Sequence, residues 1–287
     1  MRKKLILLLL LNCLTVLALS AGPLTLEFSR EGEIELKFRA PELKISNENI
    51  LNEEFQVLSM AESSGSAESG APDLPVFSGS IILPPTGSYH LQIDAGRSKT
   101  ISNIRPLPVF DTEEKKSQLL FDRGKYHESV PKALVETGEI AILRDFRVLQ
   151  FNVNPVHWDA NSNNLKVYEE IGIKISFTDE KGELELPAYS DYSPAFRKIY
   201  EANLLNFEDY RNLHSGEEYG RILMIYPNGV NTFYMTMVNM FANWKKQKGH
   251  EVNLVSTQET GSSSSAIKNF IQIQYNDPAT RPDYIIL

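Results

Sequence analysis

Ser265-Ala266-Ile267-Lys268 has the S-x-x-K spacing that sets a serine hydroxyl one helical turn from an amine. The motif closes the serine run Ser262–Ser265 at the start of an expected helix, where capping itself calls for serine, and no S-D-N or K-T-G follows. Capping is therefore the stronger reading. Asp159, Asn161, Asn163 and Glu170 stand at positions one, three, five and twelve of an EF-hand-like loop, which makes calcium the one metal cofactor the chain suggests. Against that, Asn164 replaces the glycine such a loop needs, and a hairpin turn explains the same Asp and Asn residues. The histidines, His90, His127, His157, His214 and His250, lie far apart with no H-E-x-x-H. The serine run could cap an anion, but neither a G-x-x-x-x-G-K-[ST] nor a G-x-G-x-x-G accompanies it. No nucleophile, base and orienting group assemble, so no catalytic and no cofactor-binding residue is assigned.

Two grammars position these residues. From Leu24 to about Thr178 apolar residues alternate with polar ones, as in Ile34, Leu36 and Phe38, in Leu149, Phe151 and Val153, and in Ile171, Ile173, Ile175 and Phe177. The expectation is a β-rich, antiparallel, sandwich-like region over 21–190, with 145–178 as one long hairpin and the stretches 61–73 and 111–117 as loops. Ser193 as N-cap and Pro194 at the first helical position open a helix whose Phe196, Ile199, Tyr200, Leu204 and Phe207 share a face. Residues 208–220 read as a polar linker, so 191–218 is taken as helix and linker.

From 219 the pattern becomes βαβαβ, the signature of a parallel sheet with crossover helices. Phe233, Met237, Met240, Phe241 and Trp244 form one stripe of the first helix and are expected to be its core face; Gly249 ends it. Tyr284-Ile285-Ile286-Leu287 reads as a strand buried on both faces. About seventy residues make an incomplete α/β unit, which is expected to continue past Leu287.

Met1-Arg2-Lys3-Lys4, the apolar run Leu5–Leu19 and the small residues around Ser20 have the form of a cleaved signal peptide over 1–20, too short to span a bilayer. Cys13 is the only cysteine, and it falls inside that segment after Asn12 with apolar residues beyond it, which argues against a lipid anchor. Removing the signal leaves 26 basic and 37 acidic residues, a net charge of −11, which disfavours nucleic acid as a partner. The mature chain has no thiol and no later membrane span, so the expectation is an exported protein, secreted or at the cell surface.

Several segments, taken together, resemble gingipain-type cysteine peptidase precursors. Gly70-Ala71-Pro72-Asp73-Leu74-Pro75-Val76, Ile82-Leu83-Pro84-Pro85, Ile142-Leu143-Arg144-Asp145-Phe146-Arg147-Val148, Leu165-Lys166-Val167-Tyr168 and the Ser193-Pro194-x-Phe196 helix are similar to that family's propeptide. Glu218–Tyr226, Phe241–Gly249 with its Trp244-Lys245-x-Gln247-x-Gly249 end, and Tyr284–Leu287 resemble the opening of its catalytic domain. The resemblance implies a zymogen in which a β-rich prodomain contacts and silences its own peptidase domain. It also implies protein or peptide substrates for the full-length form, with the catalytic His and Cys beyond the point matching Leu287. Arg211, in the junction, is the candidate processing site. The other class of reading is a secreted β-rich binding or adhesion protein without catalytic activity.

Overall fold

The computed structural model describes residues 22–30, 32–66, 68–127, 133–214 and 219–287; the expected signal peptide lies outside the described residues. The chain opens with β1 (Leu24–Arg30), β2 (Glu33–Arg39), β3 (Lys44–Ile50) and β4 (Glu53–Ser59). Strands β5 (Phe77–Ile82), β6 (Ser88–Ala95) and β7 (Ser98–Ile101) follow, then two short helices, α1 (Glu113–Ser117) and α2 (Arg123–Tyr126). Next come β8 (Val135–Leu143), β9 (Phe146–Val153), β10 (Val156–Asp159), β11 (Asn164–Tyr168) and β12 (Glu170–Thr178). All pair antiparallel, in the orders β1-β2-β12-β6, β5-β9-β8, β10-β11-β7 and β3-β4.

Period-two alternation does the sorting. Phe38, Leu36 and Ile34 on β2 stand opposite Ile171, Ile173 and Ile175 on β12, and all six are buried. They join Phe55, Ile81, Leu149 and Leu165 from the other sheets in one core, which is the sandwich-like arrangement expected. Each such side chain contributes about 1.5–3 kcal/mol over its exposed state.

Residues 145–178 do not form one long hairpin. Only β10 and β11 do, with Val156 opposite Val167 and Asp159 opposite Asn164, whereas β9 pairs with β5 and β8, and β12 with β2 and β6. Pro155, which has no N–H for a ladder, sits where the chain leaves one sheet for the next. The stretch 111–117 is not all loop either. Thr112 Oγ1 accepts from Lys115 N at 3.2 Å, and Glu113 and Glu114 complement the N-terminal dipole, which suffices for one helical turn.

Phe146 and Val148 at the start of β9 face away from the main core, into a second, aromatic one. There Phe146 packs against Tyr189, Tyr192, Tyr200, Phe207 and Tyr210, with ring centroids 5.1–6.2 Å away. These rings come from the segment after β12, from α3 (Arg197–Asn203) with the 3-10 turn Pro194–Phe196 before it, and from a 3-10 helix at Phe207–Leu213. The expected linker from 208 is thus folded as far as Leu213, because Phe207, Tyr210 and Leu213 pack into that core.

The last part is a parallel sheet in the order β14-β13-β15, from β13 (Arg221–Tyr226), β14 (Glu251–Ser256) and β15 (Tyr284–Ile286). Between them lie α4 (Thr232–Gln247), the short α5 (Thr257–Thr260) and α6 (Ser264–Asn276). The connections from β13 to β14 and from β14 to β15 run in opposite directions across the sheet, so right-handed crossovers place α4 and α6 on opposite faces. Ala242 of α4 meets Ile222 and Val252, and Ile267, Phe270 and Ile271 of α6 meet Leu223, Ile225 and Val255. Gly249, at φ +90°, closes α4 with bonds from its own N–H to Lys246 O and from His250 N–H to Lys245 O, the Schellman arrangement.

The core face of α4 is not the expected one. Val238 and Ala242 are buried, while Phe233, Met237, Met240, Phe241 and Trp244 are exposed. The small residues allow the helix to lie close on the sheet, and this turns the large ones outward. Phe146→Ala should accordingly cost about 3–5 kcal/mol of unfolding free energy, whereas Trp244→Ala should stay within about 0.5 kcal/mol. Urea melts of the two variants check this pair of values.

Candidate functional site

A buried polar cluster lies where the antiparallel region meets the parallel sheet. It begins at the two-residue turn between β8 and β9, where Leu143 pairs with Phe146 and Arg144-Asp145 turn the chain. Arg144 has φ +52°, at a position where hairpin turns favour glycine, so its conformation costs of order 1–3 kcal/mol. What holds it there is its side chain. Arg144 Nη2 lies 2.5 Å from Asp283 Oδ1 and donates to Pro282 O at 3.3 Å. The guanidinium sits over Phe196 at 5.0 Å and Tyr275 at 5.9 Å.

Asp283 precedes β15 and binds back to the start of β13, accepting from Arg221 N at 2.6 Å while its own N–H donates to Arg221 O at 2.8 Å. Ser193 Oγ donates to the same carboxylate. The expected N-cap bond from Ser193 is therefore not made, because its hydroxyl is engaged at Asp283. Asp145 accepts from Ser193 N at 2.8 Å and Tyr200 Oη at 2.7 Å, with Arg281 Nη1 3.6 Å away. Gly220 stands at φ +95°, and a Cβ there would come within 2.8 Å of Asp283 Oδ2. Only glycine lets the entering chain pass this close. The side chains of Arg144, Asp145 and Asp283 are 9, 9 and 5 % exposed.

Beside the cluster is a cleft of about 270 Å³ lined by Tyr189, Asp191, Ser193, His214, Arg221 and Arg281 among others. His214 Nδ1 is 2.8 Å from Asp191 Oδ1, and its Nε2 is buried without a hydrogen-bond partner. The cleft therefore presents charged and polar groups, with the His214–Asp191 pair at its wall. Burial pushes the Tyr189 phenol up to about 12. Tyr200 and Tyr210 are raised as well, first by burial and then by the negative charge of Asp145 and by Tyr189 respectively.

The residues singled out from sequence lie elsewhere. Asp159 Oδ1 accepts from Asn161 N at 3.0 Å and Oδ2 from Ser162 Oγ at 2.6 Å, Asn163 takes φ +51°, and Glu170 is paired 2.6 Å from Lys37 at the start of another sheet. The carboxylates of the calcium-like spacing are engaged apart, and a turn is what the geometry makes of them. Among the described residues no group of three or more His, Cys, Asp or Glu is placed to hold a metal. Ser263 caps α6 by accepting from Ala266 N at 3.2 Å, with Ser265 and Lys268 further along the helix. Arg211 sits in the 3-10 helix, with its guanidinium 2.8 Å from Glu201 and 2.6 Å from Glu208, and its carbonyl accepts from Tyr192 Oη at 3.1 Å. Arg144, Asp283 and Ser193 carried no functional signal in the sequence beyond Arg144 and Ser193 standing in family-like segments; a glycine-favouring turn occupied by Arg-Asp is the local clue.

The family model Propeptide_C25 matches residues 23–213. The chain belongs to the C25 propeptide family. A second model, Peptidase family C25, matches residues 215–287, so the C25 propeptide region is followed directly by a peptidase-like segment and the seam lies between the two matches. Gingipain R2 of Porphyromonas gingivalis is 24 % identical over 264 residues, which cover 88 % of this chain and 35 % of the relative. Lys-gingipain of the same organism is 24 % identical over 263 residues, 85 % of this chain and 15 % of the relative. The chain thus spans about a third or less of the curated relatives it matches. The solved complex of Porphyromonas gingivalis RgpB pro- and mature domains shares the fold with a TM-score of 0.57 at 21 % identity, over 66 % of this chain and 98 % of that one. Among the described residues no helix is long and apolar enough to cross a membrane.

The raised tyrosines give the C25 propeptide region a defined alkaline limit. A phenol whose pKa is higher in the folded chain than its usual 10.0 contributes stability that is complete below pH about 10 and is lost as pH rises through the folded value. The urea midpoint should fall between pH about 10 and about 12, in step with tyrosinate absorbance, and Tyr200→Phe should make the fall shallower.

Proposed function

We propose that this chain is the N-terminal part of an exported gingipain-like cysteine endopeptidase zymogen. Residues 21–190 form the prodomain, 191–218 the connecting helix and junction, and 219–287 the start of the peptidase domain. The observation that carries this reading is the order of the matches, a C25 propeptide over 23–213 and peptidase family C25 from 215. The prodomain binds its own peptidase domain, assists its folding and keeps it latent, while protein and peptide substrates belong to the full-length form. The sequence's single cysteine, Cys13, falls in the expected signal peptide, so the nucleophile of such an enzyme is not among these residues. In this reading the leader over 1–20 directs the protein out of the cell, to the medium or the surface.

The test is addition of the full chain to a mature C25 peptidase, following hydrolysis of Arg- and Lys-containing substrates. Near-complete loss of activity at equimolar chain, with a complex on gel filtration, is expected. Undiminished hydrolysis and no complex would overturn the reading.

Processing at Arg211 belongs to the same proposal. A peptidase needs an extended backbone at the scissile bond, and here Glu201, Glu208 and Tyr192 hold Arg211 in a helical turn. The junction should therefore be cut slowly until that turn opens. Limited digestion with an Arg-specific peptidase should give a fragment starting at Asn212, faster in Glu201→Ala/Glu208→Ala than in the parent. Activity appearing in a full-length form with 208–220 intact sinks the idea.

A further inference from the structure

We propose that the Arg144-Asp145 turn is a recognition surface, that its partner is the edge of a C25 peptidase sheet just before β15, and that Asp283 is the residue it reads. This rests on the prodomain reading above and gives it a specificity rule.

The seam is complementary in a reciprocal way. The propeptide side presents Arg144 to Asp283, and the peptidase side presents Arg281 to Asp145, so each side offers one arginine and one aspartate. The Arg144 guanidinium is near one ring from each side, 5.0 Å from Phe196 and 5.9 Å from Tyr275. Asp283 takes donors from both sides as well, Arg144 and Ser193 from one and the Arg221 N–H from the other. Opposite charges aligned in this crossed fashion favour one register and penalise a partner that lacks them.

Chain connectivity does not impose the contact. The junction delivers residue 219 to the sheet, whereas Asp283 arrives after two strands and three helices. The turn also holds a non-glycine residue at positive φ, and it is from this conformation that Arg144 reaches Asp283. A propeptide with this turn should therefore hold peptidases that carry an acid before the third strand and release those that carry a neutral residue there.

The experiment uses the full chain with residues 215–218 replaced by the cleavage sequence of a site-specific peptidase. After nicking, dissociation of the two pieces is followed by native mass spectrometry across a dilution series. The nicked parent should remain one species. Arg144→Ala should weaken its association by about 100-fold or more, as expected when one partner of a buried pair is removed. Asp283→Asn should act in the same direction, and the double variant should be no weaker than the weaker single one. Arg197→Ala, at an exposed pair with Glu201, should leave association unchanged.

Circular dichroism of the un-nicked variants reports their fold. If Arg144→Ala does not fold, Arg144→Lys, which keeps the charge and loses the forked donor, takes its place and should still weaken association. A nicked parent that separates at once, single variants that hold as the parent does, or an additive double variant each overturn the proposal. Inhibition of a mature peptidase that survives Arg144→Ala sinks the recognition surface and leaves the prodomain reading standing. Loss of cohesion on Arg144→Ala without any inhibition does the reverse.

Discussion

Three ionised side chains lie almost out of water at the seam, and the arrangement around them is what makes this tolerable. Moving a carboxylate or guanidinium from water into protein costs several kcal/mol per ion even after relaxation. The two carboxylates offset that cost through the donors they gather, two hydroxyls, two backbone N–H groups and a second arginine, while Arg144 pairs through Nη2 and leaves its Nε 3.7 Å from Asp145 without a hydrogen bond. Each donor fixes an element: Ser193 the entry to α3, Tyr200 the helix itself and Arg221 N the first residue of β13, while Gly220 leaves the chain room to pass beside Asp283 into the sheet. Moving one of these elements would leave a buried charge unsatisfied.

Behind the seam, the strand that follows the Arg144-Asp145 turn, β9, supplies a second buried cation with a different solution. Arg147 is fully buried, yet its Nη1 and Nη2 donate to the carbonyls of Pro84 at 2.7 Å and Gly87 at 3.1 Å rather than to a carboxylate. Glu185 tightens that loop from outside by accepting from Gly87 N and Gly182 N, and these bonds hold its carboxyl below the usual range. Asn206 grips both the N–H and the carbonyl of Ile82. The segments before and after α3 are thereby tied to β5 and the loop that follows it through hydrogen bonds, where a strand would use a ladder.

How much was legible beforehand follows from the range of each signal. The alternation of Ile34, Leu36 and Phe38 and of Ile171, Ile173 and Ile175 is local and reads as buried strands, and so it is found. The βαβαβ pattern and the end of α4 at Gly249 are local too. The pairing of Arg144 with Asp283 joins residues far apart in the chain, and nothing in either neighbourhood announces the other. Periodicity marked an apolar stripe on α4 but could not tell which face a sheet would take; small Val238 and Ala242 fit closer than Met237 and Trp244. Arg211 read as linker because polar residues surround it, while the aromatic residues that fold its segment, Phe207 and Tyr210, find their partners in a distant strand.

The two tryptophans of the chain fall on opposite sides of this seam. Trp158 is buried in the antiparallel region, donates from its indole to Ile104 O at 2.8 Å and packs on Tyr126. Trp244 stands on the exposed stripe of α4, 48 % accessible, with the Lys245 ammonium 4.6 Å from its ring. One indole is therefore shielded and the other is open to water and to collisional quenchers. Intrinsic fluorescence carries two separable signals, one for each sheet system, and the molecule needs no added label to report which of them loosens first.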